Sequence, residues 1–206
     1  MNPHRGAIRY NRPSGRAARA SAILFLVIAS LALPASADPA TEQQLLETVQ
    51  GFYRWVIENG KETADLQPSI RDIPGTTRFE LDTSTLPDFT DRFMRSGFFA
   101  AGFPAAVSRY YQRYAAEFAA LPQAEFDQIA QDGRGPMMET EDTNLFFCAQ
   151  EYEPNEPFVA GMRLKGVHIE DGQASALVVS PFDWETEFHF TRTPERWLIS
   201  GYCEFL

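Results

Sequence analysis

Residues 158–180, FVAGMRLKGVHIEDGQASALVVS, decide how the chain is read. Two runs rich in aliphatic residues, Phe158–Ile169 and Gln173–Ser180, flank Glu170-Asp171-Gly172. Asp-Gly between such runs is a strong hairpin signal, because both central residues of a type I′ turn need positive φ. The pattern continues downstream. Glu185–Thr191 follows the connection Pro181-Phe182-Asp183-Trp184, and Thr193-Pro194-Glu195 turns the chain into a last strand, Arg196–Phe205. Alternation assigns the faces. Phe188 and Phe190 oppose Glu187, His189 and Thr191, while Trp197, Ile199, Gly201, Cys203 and Phe205 share one side of the last strand. The second half therefore reads as an antiparallel sheet of about four strands.

Upstream, the period changes from two to between three and four. Leu45, Leu46, Val49, Phe52, Tyr53, Val56 and Ile57 recur at helical spacing. Thr41 with Gln44 fits a capping box and Asn59-Gly60 a stop, so the spacing predicts a helix over 41–59. Lys61 to Leu86 reads as mostly loop, with room for one short turn of helix. A second helix opens at Pro87 with Asp88 and Asp91 in its first turn and puts Phe89 and Phe93 on one face. Gly102 and Pro104 separate it from a third, from Pro104 to Leu121, which Pro122 ends. The segment 131–144 reads as an exposed acidic loop. Helices first and a meander afterwards is the α+β pattern in which a curved sheet wraps a long helix.

The first 37 residues read as a cleavable signal peptide, with 38–206 as a single domain. Five arginines and no acid precede an apolar run from Ala20 to Leu33. Pro34 then breaks the run, and Ala35-Ser36-Ala37 places small residues before a cut between Ala37 and Asp38. That run has roughly 14 residues, short of the about 20 a membrane span needs. Loss of those five arginines takes the net charge from −10 to −15. So acidic a domain repels nucleic-acid phosphates and anionic head groups, which sets both aside as partners and favours cationic ones. Cys148 and Cys203 are the only cysteines, and an even count in an exported chain predicts a disulfide, placing the protein in a bacterial periplasm or outside the cell.

Three short elements carry a family resemblance: Phe52-Tyr53-Arg54-Trp55, the stretch from Asp142 through Asn144-Leu145-Phe146-Phe147-Cys148-Ala149-Gln150 to Tyr152, and Arg196-Trp197-Leu198-Ile199. Together they resemble a bacterial family of secreted proteins, domain of unknown function 3828. The resemblance implies a cone-shaped α+β shell of the nuclear transport factor 2 and cystatin-like group, and no established activity. A group of immunity proteins against secreted amidases is similar in outline.

Catalytic constellations are sparse. His189, two residues from Glu187 on the polar face of its strand, is the candidate general base, but no nucleophile or oxyanion donor completes a set. A His beside a Glu on such a face is also an ordinary solvated pair. Glu139, Glu141, Asp142 and Asn144 offer oxygen ligands without the glycine and distant glutamate of a calcium loop. Gly133-Arg134-Gly135 lacks the Lys-Ser or Lys-Thr of a phosphate loop. With His168 and His189 as the remaining ligands, no zinc spacing exists, and neither a metal nor a cofactor is expected. Tyr53, Trp55, Tyr111 and Tyr114 are the candidates for lining an apolar ligand cavity, and the same residues suit a packed core equally well. The function expected is a non-enzymatic binding domain for an envelope protein or small apolar ligand, an immunity-type or accessory role included. The alternative is a small-pocket enzyme using His189 and Glu187.

Overall fold

The computed structural model describes residues 38–133, 138 and 143–206; the expected signal peptide, most of the acidic loop and Arg134-Gly135 lie outside them. Helix α1 spans Pro39–Ala64. Its cap is Asp38, not Thr41: Asp38 Oδ1 accepts from the amides of Ala40 at 2.8 Å and Thr41 at 3.2 Å. The carboxylate satisfies amides that have no partner within the helix, and Pro39, at the first position, has no amide to satisfy. Asn59-Gly60 does not stop the helix. Asn59 Nδ2 donates to the Trp55 carbonyl, Thr63 Oγ1 donates to the Asn59 carbonyl, and the bare Gly60 lies against the Phe146 ring. Packing there outweighs a weak local preference for ending.

The segment expected to be loop contains a hairpin, β1 (Ser69–Asp72) paired antiparallel with β2 (Phe79–Asp82). Each strand has four residues, too few for periodicity to register. Phe79 and Leu81 nevertheless point inward, and Phe79 meets the rings of Phe118 at 5.5 Å and Phe126 at 4.7 Å. Helix α2 (Leu86–Ser96) and helix α3 (Phe103–Ala120) follow as expected, with Phe89 and Phe93 both fully buried. Pro122 ends α3 but also starts α4 (Gln123–Asp132), a helix whose only buried residue is Phe126. One apolar anchor per three turns leaves no readable stripe.

Phe158–Ile169 is not one strand. Asn155 caps a short helix, α5 (Glu156–Ala160), by accepting the Phe158 amide at 2.8 Å, and the strand proper is β3 (Arg163–Glu170). Phe158 and Val159 are adjacent and both buried on one short helical turn that packs against the core. Then come β4 (Gln173–Val179), β5 (Glu185–Arg192) and β6 (Trp197–Tyr202), giving one antiparallel sheet in the order β3-β4-β5-β6. Asp171 and Gly172 turn the first hairpin with φ of 45° and 77°, as Asp-Gly implies.

The last strand departs from simple alternation. His189 pairs with Gly201 but Phe190 pairs with Ile199, so Ser200 is an extra residue, a β-bulge. Parity flips there, and Tyr202 joins Trp197 and Ile199 in the core in place of Cys203. Beyond it, Cys203–Phe205 form a 3₁₀ turn. Gly201 permits the fold-back, since a Cβ on it would stand 2.7 Å from the Phe205 carbonyl oxygen. Cys203 is bonded to Cys148, with Cα atoms 5.9 Å apart. The free edge of β6 is covered by residues 98–100: Ile199 donates to the Phe98 carbonyl and Ala100 to that of Ile199, both at 2.8 Å. The core lies between α1, α2 and α3 and the inner sheet face. Among the described residues, no helix is long and apolar enough to cross a membrane.

Candidate functional site

Two surfaces carry side chains that packing does not explain: the outer face of the sheet and its β4–β5 end. On the outer face, register aligns three polar residues on neighbouring strands. His168 of β3 pairs with Ser175 of β4, and Ser175 pairs with His189 of β5. The G1-type bulge at Gly166 (φ 64°) sets this alignment. His189 Nε2 lies 2.9 Å from Glu187 Oε1, and His168 lies 3.7 Å from Glu170. A shallow groove of about 460 Å³ runs over His168, Ser175, His189 and Ser200.

The row is open to water. The His189 side chain is 43% exposed and Glu187 51%. The carboxylate can orient the imidazole, yet nothing excludes solvent or gathers donors around a developing charge. Among the described residues, no group of three or more His, Cys, Asp and Glu is placed to hold a metal. Of the acidic-loop candidates, Glu139, Glu141 and Asp142 lie outside those residues. Asn144 caps a turn, its Oδ1 accepting the amides of Phe146 and Phe147 at 3.0 and 3.1 Å. Gly133 is the left-handed cap of α4, with φ 65°.

The aromatic candidates of the helical half are interior residues. Tyr53, Tyr111 and Tyr114 are buried, and Trp55 is half-buried with its ring 6.2 Å from both Phe52 and Phe93. The space beside Tyr53 amounts to about 10 Å³, no more than a single water requires. Burial raises the Tyr53 phenol well above its ordinary pKa, because the phenolate would lose its hydration.

The second surface was not singled out from the sequence. Ser180, at the end of β4, accepts the amides of both Phe182 and Trp184 on its Oγ at 3.2 Å, and its own amide donates to the Trp184 carbonyl at 2.9 Å. Asp183, at φ 60°, completes this tight turn. The turn pushes two large rings outward: Phe182 is 46% exposed and Trp184 42%. Tyr152 stands nearby, linked through Phe147. Its ring stacks on Phe147 at 4.9 Å, and Phe147 stacks on Tyr53 at 4.7 Å, a column running from surface to core. Phe182 rests on Phe158 at 5.4 Å. A cleft of about 220 Å³ opens between Phe182, Trp184, Gln150 and Glu151. The available signal was Pro-Phe-Asp-Trp in a strand connection, where polar residues are the rule.

Charges around this end are mostly paired. Arg163 holds Asp183 at 2.7 Å, Lys165 holds Glu185 at 2.7 Å, and Arg54 grips Glu156 with two nitrogens at 2.8–3.0 Å. The Arg54 hydrogen bond holds the Glu156 carboxyl below the usual range. No family model, curated protein or solved structure matches the chain.

Proposed function

We propose that the chain is an exported, non-enzymatic domain that binds another envelope protein through the aromatic end of its sheet. The observation that carries this is the exposure of Phe182 and Trp184 on a turn fixed by Ser180 while the rings of Phe147 and Phe158 beneath are buried. A monomer gains nothing by fixing two large apolar rings in water, and such patches mark interaction sites. Export is part of the same reading. It rests on the N-terminal run ending at Ala37 and on the bonded cysteines, which suit an oxidising compartment. Kinship with domain of unknown function 3828, and with its cone-shaped shell, is supported by a long first helix followed by a four-stranded meander.

The test is capture from a native envelope extract with the wild-type protein and with a Phe182→Ser/Trp184→Ser double variant. We expect one dominant, salt-resistant partner with the former and none with the latter. A partner retained by the double variant sinks the assignment of the surface. The second reading, an enzyme using His189 with Glu187 as base, is favoured by their 2.9 Å contact and by Ser175 in the paired position. Ester or amide hydrolysis that disappears in His189→Ala would establish it over the first.

A further inference from the structure

We infer that the cleft between Phe182 and Trp184 receives an arginine or lysine side chain of the partner protein, with Glu151 as its counter-ion. This rests on the binding-domain reading above and names what that surface recognises. Size is the first argument. About 220 Å³ is below the about 300–1,000 Å³ of small-molecule pockets and suits one side chain. Phe182 and Trp184 line it, and the face of an aromatic ring attracts cations through its quadrupole. Gln150 and Glu151 complete its lining.

Charge is the second argument. Asp183, Glu185 and Glu156 are neutralised by Arg163, Lys165 and Arg54, and Glu153 accepts the Asn155 side-chain amide at 3.0 Å. Glu151 has no hydrogen-bond or ion-pair partner among the described residues, and it is the carboxylate that borders the cleft. The chain as a whole carries −10 before loss of the basic N-terminus. An acidic field draws cations toward the surface, and the aromatic walls and Glu151 then fix one of them in place. A neutral sugar would find ring faces as well, but it would leave Glu151 without a counter-charge. Rigidity is the third argument. The Ser180 hydrogen bonds fix the backbone that carries both rings before binding, which removes the backbone share of the ordering cost.

The probe is an end-blocked octapeptide alternating glycine and arginine, titrated into the purified ¹⁵N-labelled protein at about 0.15 M salt, where charges beyond about 8 Å are screened. Trp184 is one of three tryptophans, so its indole N–H signal is assignable by substitution. We expect a saturable shift of that signal. Trp184→Ala, followed through the peptide's fluorescent label, should weaken affinity about tenfold, and Glu151→Gln about threefold or more. Glu58→Gln removes the same charge from the exposed side of α1 and should leave affinity unchanged. Unaltered denaturation midpoints in all three variants exclude misfolding as the cause. Equal weakening by Glu58→Gln would reduce the effect to diffuse attraction and overturn the inference. A Trp184 shift with a neutral oligosaccharide but not with the peptide would overturn it in favour of a glycan platform. If envelope capture depends on Phe182 and Trp184 but not on Glu151, the binding-domain reading survives and the cation is wrong. If capture and peptide both fail, that reading falls too.

Discussion

Phe99 and Phe182 are the same residue in opposite situations. Phe99, 3% exposed, touches the rings of Phe52, Phe93 and Phe103 at 5.0, 5.2 and 4.2 Å. Phe182, 46% exposed, has one ring neighbour, Phe158. The first ring lies between helix and sheet and contributes through area removed from water and through edge-to-face contacts. The second is held outward by backbone hydrogen bonds to Ser180 and contributes little until something covers it. Abundance of aromatics in the helical half therefore signals packing, whereas the two rings in a strand connection are left uncovered and are the ones proposed for recognition.

The sharpest way to break this contrast is Phe99→Ala. It should cost about 3–5 kcal/mol, seen as a large drop in the urea midpoint, because the rigid ring cluster cannot collapse into the hole. A loss near that of a surface substitution would show that the cluster is loosely packed. Next in size is the pair Cys148→Ser and Cys203→Ser. The bond spans a separation of 55 residues and ties the 144–149 segment to the turn after β6, so its loss should cost about 2–4 kcal/mol. That variant also sharpens the comparison. The segment it frees carries Phe147, the middle ring of the Tyr152 column, so peptide binding at the aromatic end should weaken along with stability. Phe182→Ser comes third and should change stability by no more than about 0.5 kcal/mol while abolishing partner capture. A large loss of stability would make Phe182 a packing residue after all.

The smallest effect concerns acid. The Glu156 carboxyl is held low in the folded state by the Arg54 guanidinium, so the pair's contribution is present above the ordinary carboxylate pKa. It is lost as pH falls through the depressed folded value. Arg54→Gln should flatten that acid limb slightly in pH-dependent denaturation. An unchanged slope would mean that these half-exposed groups are too well solvated to matter.

The meander was legible because it rests on local chemistry. Asp171-Gly172 has few alternatives to a type I′ turn, and Phe188 and Phe190 alternate cleanly with Glu187 and His189. The helices α2 and α3 were legible for a similar reason, each opening near a proline and carrying a wide apolar face. What escaped was set by tertiary contact. β1 and β2 are strands only because Phe79 and Leu81 find α3 and α4. Gly60 stays helical because Phe146 packs on it. Thr41 yields the cap to Asp38 because the earlier carboxylate reaches two amides. At the candidate sites, the pairing of His189 with Glu187 followed from strand alternation. The row through Ser175 did not, because it depends on register across three strands and on the bulge at Gly166. The connection through Phe182 and Trp184 was legible as a turn, but the exposure of its rings was not, because it depends on Ser180 holding both amides.

The bulge at Ser200 makes the end of the chain sensitive to counting. Loss of the Ser200 codon would remove the extra residue and restore simple alternation while leaving Tyr202 opposite Phe188 on the buried face. Loss of two codons, Ser200 and Gly201, would place Tyr202 directly after Ile199 and turn its ring to the outer face. Inherited loss of that one residue should therefore be tolerated and loss of two purged, while substitutions at Ser200 itself pass almost unnoticed.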